Sequence, residues 1–582
     1  MRLRYKFARV HIWAVLLALV TMTFGVTIVL SQQSAAWPEW GHDSSHTGAV
    51  NVAGQNLNTI LANIVYDPFV DDEKAPANGD GDLLVHYQTP LVDGNDVYME
   101  FKTGTYTSIT MWETQIWNEK KLSWVGGNLV EQWSFQSDWK PVPYGSPSWE
   151  PVFHATLAGS FVYVPGAGGT VFKLNKSDAS VVARFNPFDS EVVSNMFLTG
   201  PITADSAGNI YYNTIKLNKN NPWSTDVINA FLVKITSSGS ISSASFKTIM
   251  TGEMSTNDDC EVGFGTPPPW PPTPTAVAPT RKCGDVRPGI NVAPAVGPDG
   301  TIYTIARNHF VTRYGYVVAV NPNLTPKWTA STHGVLSDGC NVEIPPNGTP
   351  GGCSVGATTG VAPDTNSAPS GRILDDSSSS PVVAPDGSVI YGAYTAYNYL
   401  QGHLLRYSST GQFLNSFHFG WDDTPAIRTH NGTYSIITKD NHYGVGSYCG
   451  DPTVCPPDRT ASNPGYPEAY FVTSLSPTLT VEWMFQNTNT LSCTRHPDNS
   501  VTCVSDHPAG FEWCVNAPAI DSSGVTYANS EDGNLFAINP NGTLKQKIFQ
   551  QLAVGAAYTP ASIGGDGKLY SQNDGHLYVV GN

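Results

Sequence analysis

The sequence predicts an all-β chain folded as an eight-bladed β-propeller of four-stranded antiparallel blades, and three observations predict it. Gly and Pro number 54 and 43 among 582 residues, and charged residues make up only 14 %. That is a composition of many turns between short apolar runs. A unit of the form Pro-x-apolar, a few residues, then Gly-x-apolar-Tyr recurs along the chain. Successive opening prolines lie between 42 and 93 residues apart, and the smaller figure is the length of one bare blade.

The elements follow in order. Arg2, Arg4, Lys6 and Arg9 precede an uncharged apolar run from Ala14 to Leu30, and then the small residues Ser34, Ala35 and Ala36. This is the order of a secretory signal, so residues 1–36 read as a signal peptide or an N-terminal membrane anchor. No Cys occurs before Cys260, which excludes a lipid-bearing cysteine at the start of a mature chain. The propeller then occupies 37–582.

Its clearest repeat copies are Pro294-Ala-Val-Gly-Pro-Asp-Gly-Thr-Ile-Tyr303 and Pro381-Val-Val-Ala-Pro-Asp-Gly-Ser-Val-Ile-Tyr391. Those opening at Pro518 and Pro560 match nearly as well, and Pro90, Pro151, Pro201 and Pro425 open weaker ones. Each copy reads as a hairpin, an apolar strand turning at Asp-Gly or Ser-Gly into an alternating strand. A proline is tolerated where the innermost strand begins. A third strand follows, as in Gly315-Tyr-Val-Val-Ala-Val, and then an aromatic-tipped fourth carrying Trp133, Phe185, Trp328, Phe417, Trp483 or Phe549. The last copy runs out after three strands. Asn56–Tyr66 has strand character and is the expected closing strand, joining the two ends of the ring. Inserted loops are expected near 100–130, 250–290, 330–378 and 443–514. The proline-rich stretch 266–279 reads as a stiff, exposed spacer.

The cysteines fall as local pairs, Cys260 with Cys283, Cys340 with Cys353, Cys449 with Cys455 and Cys493 with Cys503, leaving Cys514 over. Loop-stapling disulfides and an extracytoplasmic location (secreted, periplasmic or cell-surface) are expected. No Cys-x-x-Cys spacing suggests zinc. A formal charge of −17 argues against nucleic acid or an anionic membrane as partner. The only membrane contact expected is through an uncleaved N-terminal segment.

These repeats, with the opening phrase Trp37-Pro-Glu-Trp40-Gly-His-Asp-Ser-Ser-His-Thr-Gly48, resemble the pyrroloquinoline-quinone-like (quinoprotein alcohol dehydrogenase-like) propeller superfamily. The resemblance covers roughly 37–582 apart from the insertions. It implies the fold rather than one function, since the superfamily holds dehydrogenases, assembly scaffolds and sensor domains. Its quinone-using members commonly carry two adjacent cysteines over the cofactor and a Glu/Asn/Asp set around Ca²⁺. No adjacent cysteine pair and no Cys-x-x-Cys-His exist here, so quinone is not the expected cofactor, while Ca²⁺ is compatible with the acidic mouth.

Residues just before each opening proline should ring the mouth of the central channel. They are Gln88, Trp149, Glu150, Thr199, Asn291, Asp376, Asp422, Asp423, Asn516 and Tyr558, a polar and acidic set without Lys or Arg. Such a ring could hold Ca²⁺, dock a sugar or a protein, or simply hydrogen-bond to strand-end backbone. A second constellation, Phe417 to Asp423 with Arg428, His430, Asp440 and His442, would suit acid–base chemistry if its members met. His42, Asp43 and His46 read as a structural segment rather than a metal pair, and Asn78-Gly-Asp-Gly-Asp82 as a turn lacking the distal Glu of a Ca²⁺ loop. The expectation is an exported binding or scaffold module. The alternative is an enzyme at the channel mouth, oxidising through a quinone or cleaving polysaccharide with Ca²⁺.

Overall fold

A computed structural model describes residues 37–75, 88–108, 111–143, 151–344, 349–350, 353–375, 379–397, 401–443, 468–513, 517–554 and 561–582. They form eight small antiparallel blade sheets, each with four successive strand positions, three two-stranded ribbons in the insertions, and two one-turn helices, Val70–Lys74 and Phe246–Ile249. Blade 1 is built of Leu91–Asp93, Asp96–Gly104, Gln115–Val125 and Asn128–Gln136, and blade 2 of Thr156–Ala158, Phe161–Pro165, Val171–Asn175 and Val181–Phe185. Blades 3 to 7 begin with the inner strands Thr203–Ala204, Ala295–Val296, Val382–Val383, Ala426–His430 and Ala519–Ile520. Blade 8 holds Ser562–Ile563, Leu569–Asn573, His576–Gly581 and, as its outer strand, Thr59–Val65. Thr59 pairs with Gly581 and Val65 with His576, so the N-terminal strand closes the ring as the sequence requires.

The hairpin chemistry is local. In blade 5 the Asp386 carboxylate accepts the Ser388 N–H at 2.9 Å, and Gly387 takes φ +79°, a conformation that costs glycine little. The fourth strands carry the predicted aromatics, which lock each blade to the next. The Trp133 indole N–H donates to the Lys176 carbonyl of blade 2 at 3.0 Å, and Trp328 of blade 4 donates to Ser409 of blade 5 at 2.9 Å. The buried core lies between successive sheets, as in the cluster of Tyr303, Ile305, Val317, Val383, Tyr391 and Leu405 between blades 4 and 5. One register differs. The second copy's inner strand starts at Thr156, not directly after Pro151, because Val152–Ala155 lead into it.

Residues 37–50 form a coil that passes the inner strands in order around the ring. The same backbone N–H, that of the second residue of the inner strand, donates to this coil in seven blades. Val92 donates to the Trp37 carbonyl, Leu157 to Pro38, Ala204 to the Glu39 carboxylate, Val296 to Ser44, Val383 to Ser45, Ile427 to Thr47 and Ile520 to Gly48, all between 2.5 and 2.9 Å. An inner strand has no neighbour on its channel side, so these donors need such a partner. His46 sits at the middle, fully buried. Its Nδ1 lies 2.8 Å from the Pro381 carbonyl and its Nε2 3.4 Å from Thr203 Oγ1, and burial pulls its pKa down to about 4. Asp43 accepts the N–H groups of Ser45 and Thr47. The histidine-rich opening phrase is therefore structural, as expected, and it runs along the inner strands.

Three predicted disulfides are present, Cys260–Cys283, Cys340–Cys353 and Cys493–Cys503. Cys449, Cys455 and Cys514 lie outside the described residues, as do 78–82. The proline-rich stretch corrects an expectation, because it is docked rather than free. Ser354 N–H donates to the Trp270 carbonyl at 2.9 Å, and the Asn366 amide donates to the Pro274 and Ala276 carbonyls at 3.0 and 2.9 Å. Carbonyl groups left open by proline-rich backbone find donors on the segment that follows the Cys340–Cys353 bridge.

Candidate functional site

The lead-in segments just before the inner strands lie beside the coil's contacts with Pro381 and Thr203. There the lead-in residues join blade to blade. Asn291 N–H donates to the Thr199 carbonyl at 2.6 Å, Ala293 N–H to Ser380 Oγ at 2.9 Å, Ser380 N–H to Thr424 Oγ1 at 2.8 Å and Ala517 N–H to the Thr424 carbonyl at 2.8 Å. Gln88 Nε2 donates to Glu100 Oε2 at 2.9 Å and reaches the Pro151 carbonyl at 3.4 Å. Gln88, Thr199, Asn291, Asp422 and Asp423 are all buried. Much of the predicted ring thus serves as a belt, the structural use of lead-in side chains. Trp149, Glu150, Asp376, Asn516 and Tyr558 lie outside the described residues.

The mouth has two unlike sides. Over blades 5 to 7 it is ionisable. Asp423 accepts from Thr438 Oγ1 at 2.5 Å, and burial raises its carboxyl to about 7 against the pull of the neighbouring Lys439 ammonium. Glu512 rises to about 8 through burial and the nearby Glu531, and it accepts from the Tyr443 hydroxyl. Tyr394 donates to Asp422 at 3.3 Å.

The second predicted constellation does not converge. Arg428 and His430 stand towards the far end of the inner strand that begins at Ala426, held by the Pro540 carbonyl and Ser435 Oγ, whereas Asp422 and Asp423 precede that strand. His442 pairs with Asp440 at 3.1 Å, and His418 packs edge-on against His403 with its pKa lowered to about 3 by burial. A strand separates the two groups that proximity in sequence had placed together.

Over blades 1 to 4 the mouth is apolar. A shallow cleft is lined by Trp112, Trp139, Val142, Val152, Leu198 and Ile290, with Thr199 and Asn291 supplying its polar edge. Trp139 stacks edge-on against Trp117 at 5.1 Å and lies 5.5 Å from Phe153, so its ring is fixed. The indole N–H groups of Trp112 and Trp139 are buried with no hydrogen-bond partner. Sequence reasoning named Thr199 and Asn291 but missed both tryptophans. They belong to an inserted loop and an inter-blade link, where no repeat register assigns a direction.

Among the described residues no three His, Cys, Asp or Glu side chains converge on a point where a cation could sit. No described helix is long and apolar enough to cross a membrane.

No family model matches the chain, and no curated protein does. Solved structures are similar to it. A europium-containing methanol dehydrogenase is 9 % identical over 93 % of this chain and 89 % of its own, with a TM-score of 0.45. The quinohemoprotein alcohol dehydrogenase of Comamonas testosteroni is 11 % identical, covering 93 % and 80 %, with a TM-score of 0.49. That of Pseudomonas putida is 10 % identical, covering 94 % and 76 %, with a TM-score of 0.48.

Proposed function

We propose that the protein is an exported binding module that takes an apolar side chain of a polypeptide partner into the cleft over blades 1 to 4. The observation that carries this reading is the pair of buried, unpartnered indole N–H groups of Trp112 and Trp139 in an otherwise aliphatic pocket. A buried donor left without an acceptor costs about 1–3 kcal/mol, which a ligand oxygen would recover. Peptide backbone brings carbonyl oxygens on either side of an apolar side chain. A sugar would leave most of its hydroxyls unmatched against Val142, Val152, Leu198 and Ile290. The three disulfides and the basic-then-apolar N-terminus support export.

The test is a tryptophan-fluorescence titration with acetylated, amidated Gly-Leu-Gly and Gly-Ser-Gly peptides, with maltotriose as the rival. Saturable change with the leucine peptide alone, weakened in Trp139→Phe (which keeps a ring and loses the N–H), supports the reading. Equal response to the serine peptide, or a response to maltotriose only, overturns it.

A further inference from the structure

Triplets of the form Asn-x-Ser/Thr open at Asn175, Asn323, Asn347, Asn431 and Asn541. Asn347 lies outside the described residues. We propose that Asn323, Asn431 and Asn541 carry N-linked oligosaccharide, set on the face of the ring opposite the lead-in segments. The proposal rests on the export reading and not on the peptide reading of the cleft.

The placement follows from topology. In an antiparallel blade the first-to-second and third-to-fourth turns share one end, and the second-to-third turn shares the other end with the lead-in. Asn431 is in the first turn of blade 6, between Ala426–His430 and Thr433–His442. Asn323 is in the last turn of blade 4, between Gly315–Val320 and Pro326–Ser331. Asn541 is in the last turn of blade 7, between Asn534–Ile538 and Leu544–Phe549, and Asn175 ends the third strand of blade 2. Four triplets scattered along the chain thus come to one face. Neighbouring turns meet there, since Arg428 Nη1 of blade 6 donates to the Pro540 carbonyl, next to Asn541, at 2.9 Å. Among the described residues no such triplet opens at a lead-in or a second-to-third turn.

The turns do not require asparagine. In blades 3, 5 and 6 the place of Asn323 and Asn541 is taken by Ser238, Thr410 and Thr478, whose hydroxyls meet those of Thr236, Ser408 and Ser476 at 2.9, 2.9 and 3.0 Å. Blades 4 and 7 instead set Asn two residues before Thr. There the Thr325 and Thr543 hydroxyls donate to the Asn323 and Asn541 carboxamide oxygens at 2.7 Å, so the oxygen is engaged and the nitrogen is not. Asn323, Asn431 and Asn541 are exposed, and among the described residues nothing accepts from their Nδ2. Asn175 is the contrast. It is half-buried, and its Nδ2 donates to Ser180 Oγ at 2.7 Å.

The transfer needs a donor, an oligosaccharide held on a lipid diphosphate. The carboxamide nitrogen attacks the anomeric carbon. A C–N bond forms, the C–O bond to the diphosphate breaks, and the nitrogen gives up one proton. A chain meets such a donor where it crosses a membrane, so the modification belongs to export. Three bulky hydrophilic groups on this face leave the lead-in face and its cleft uncovered.

The test is peptide mapping by mass spectrometry of the full chain recovered from the exported fraction of its own cells. Maps are compared before and after a glycan-releasing amidase, which leaves Asp where a sugar-bearing Asn stood. Carbohydrate on Asn323, Asn431 and Asn541, with Asn175 bare, is expected. Asn541→Gln and Thr543→Ala should each remove the glycan at Asn541 and no other, and Thr543→Ser, which keeps a hydroxyl, should retain it. Should a variant be lost before export, the map of the parent alone decides. Two or more of the three asparagines bare, or carbohydrate confined to Asn175, overturns the proposal. A glycan that survives Thr543→Ala marks a transfer that does not read the triplet and also overturns it. A bare chain in the exported fraction leaves export standing, whereas a bare chain found only inside the cell overturns export as well.

Discussion

Val296 and Ser44, separated by 252 residues, clasp each other from both sides. The Val296 N–H donates to the Ser44 carbonyl at 2.5 Å, and Ser44 Oγ donates to the Val296 carbonyl at 3.1 Å. The pair makes the coil part of the sheet system rather than a loose leader.

His46→Ala should therefore destabilise the whole ring and not one blade. The substitution removes the contact to Pro381 and empties the space between blades 3 and 5. Its cost should be about 2–4 kcal/mol, read as a lowered urea midpoint with one cooperative transition. A split transition would mean that the coil stabilises only part of the molecule.

Gly411→Ala tests the locking of blade to blade. Gly411 has φ +84°, and an added Cβ would stand 2.7 Å from Trp328 of the preceding blade. Strain and displaced packing should together cost about 1–3 kcal/mol. Gly432→Ala, at φ +75° with nothing within 4 Å, carries the strain without the clash and should cost less in the same melting experiment.

Stability should fall between about pH 6.5 and 8. Glu119 and Glu512 have carboxyls raised to about 8 and Asp423 to about 7. In this interval the folded chain holds protons on them that the unfolded chain has lost, so raising pH favours unfolding. The buried His46 and His154, lowered to about 4, act oppositely but below their ordinary 6.5, where the unfolded chain binds the extra protons. Glu119→Gln should flatten the fall by about 1–2 kcal/mol in pH-dependent urea titrations. A wild-type curve that rises across the interval would contradict the burial of these groups.

Breaking Cys340–Cys353 should loosen the proline-rich loop as well. The bridge closes a loop of 13 residues' separation, worth about 3 kcal/mol locally. Ser354, which holds Trp270 and Pro271, lies next to it. Limited proteolysis of the Cys340→Ser, Cys353→Ser double variant should cut within 266–279 faster than in the parent, while the ring itself melts unchanged.

The ring was legible in the sequence because each blade repeats the same local physics. An Asp such as Asp386 organises its own turn, a glycine follows, and an aromatic such as Trp328 reaches the next copy. The closing strand was legible because one blade lacked its fourth strand. The site was less so. Asn291 and Thr199 were found from their place before an inner strand, yet Trp112 and Trp139 sit outside any repeat register. Arg428 and Asp423 looked adjacent in the chain, but the inner strand carries them apart. Nor did spacing reveal that residues 37–50 would answer a backbone N–H in seven blades, because in six of them the acceptor is a main-chain carbonyl, which every residue has.

The threading of residues 37–65 bears on when the molecule can form. Their hydrogen-bond partners extend from Val92 to Gly581, so this early stretch gains its full set only after ribosomal synthesis has reached the final hairpin. A nascent chain of this design stays unclosed until then. Closure is therefore a late event, and it joins segments made more than five hundred residues apart.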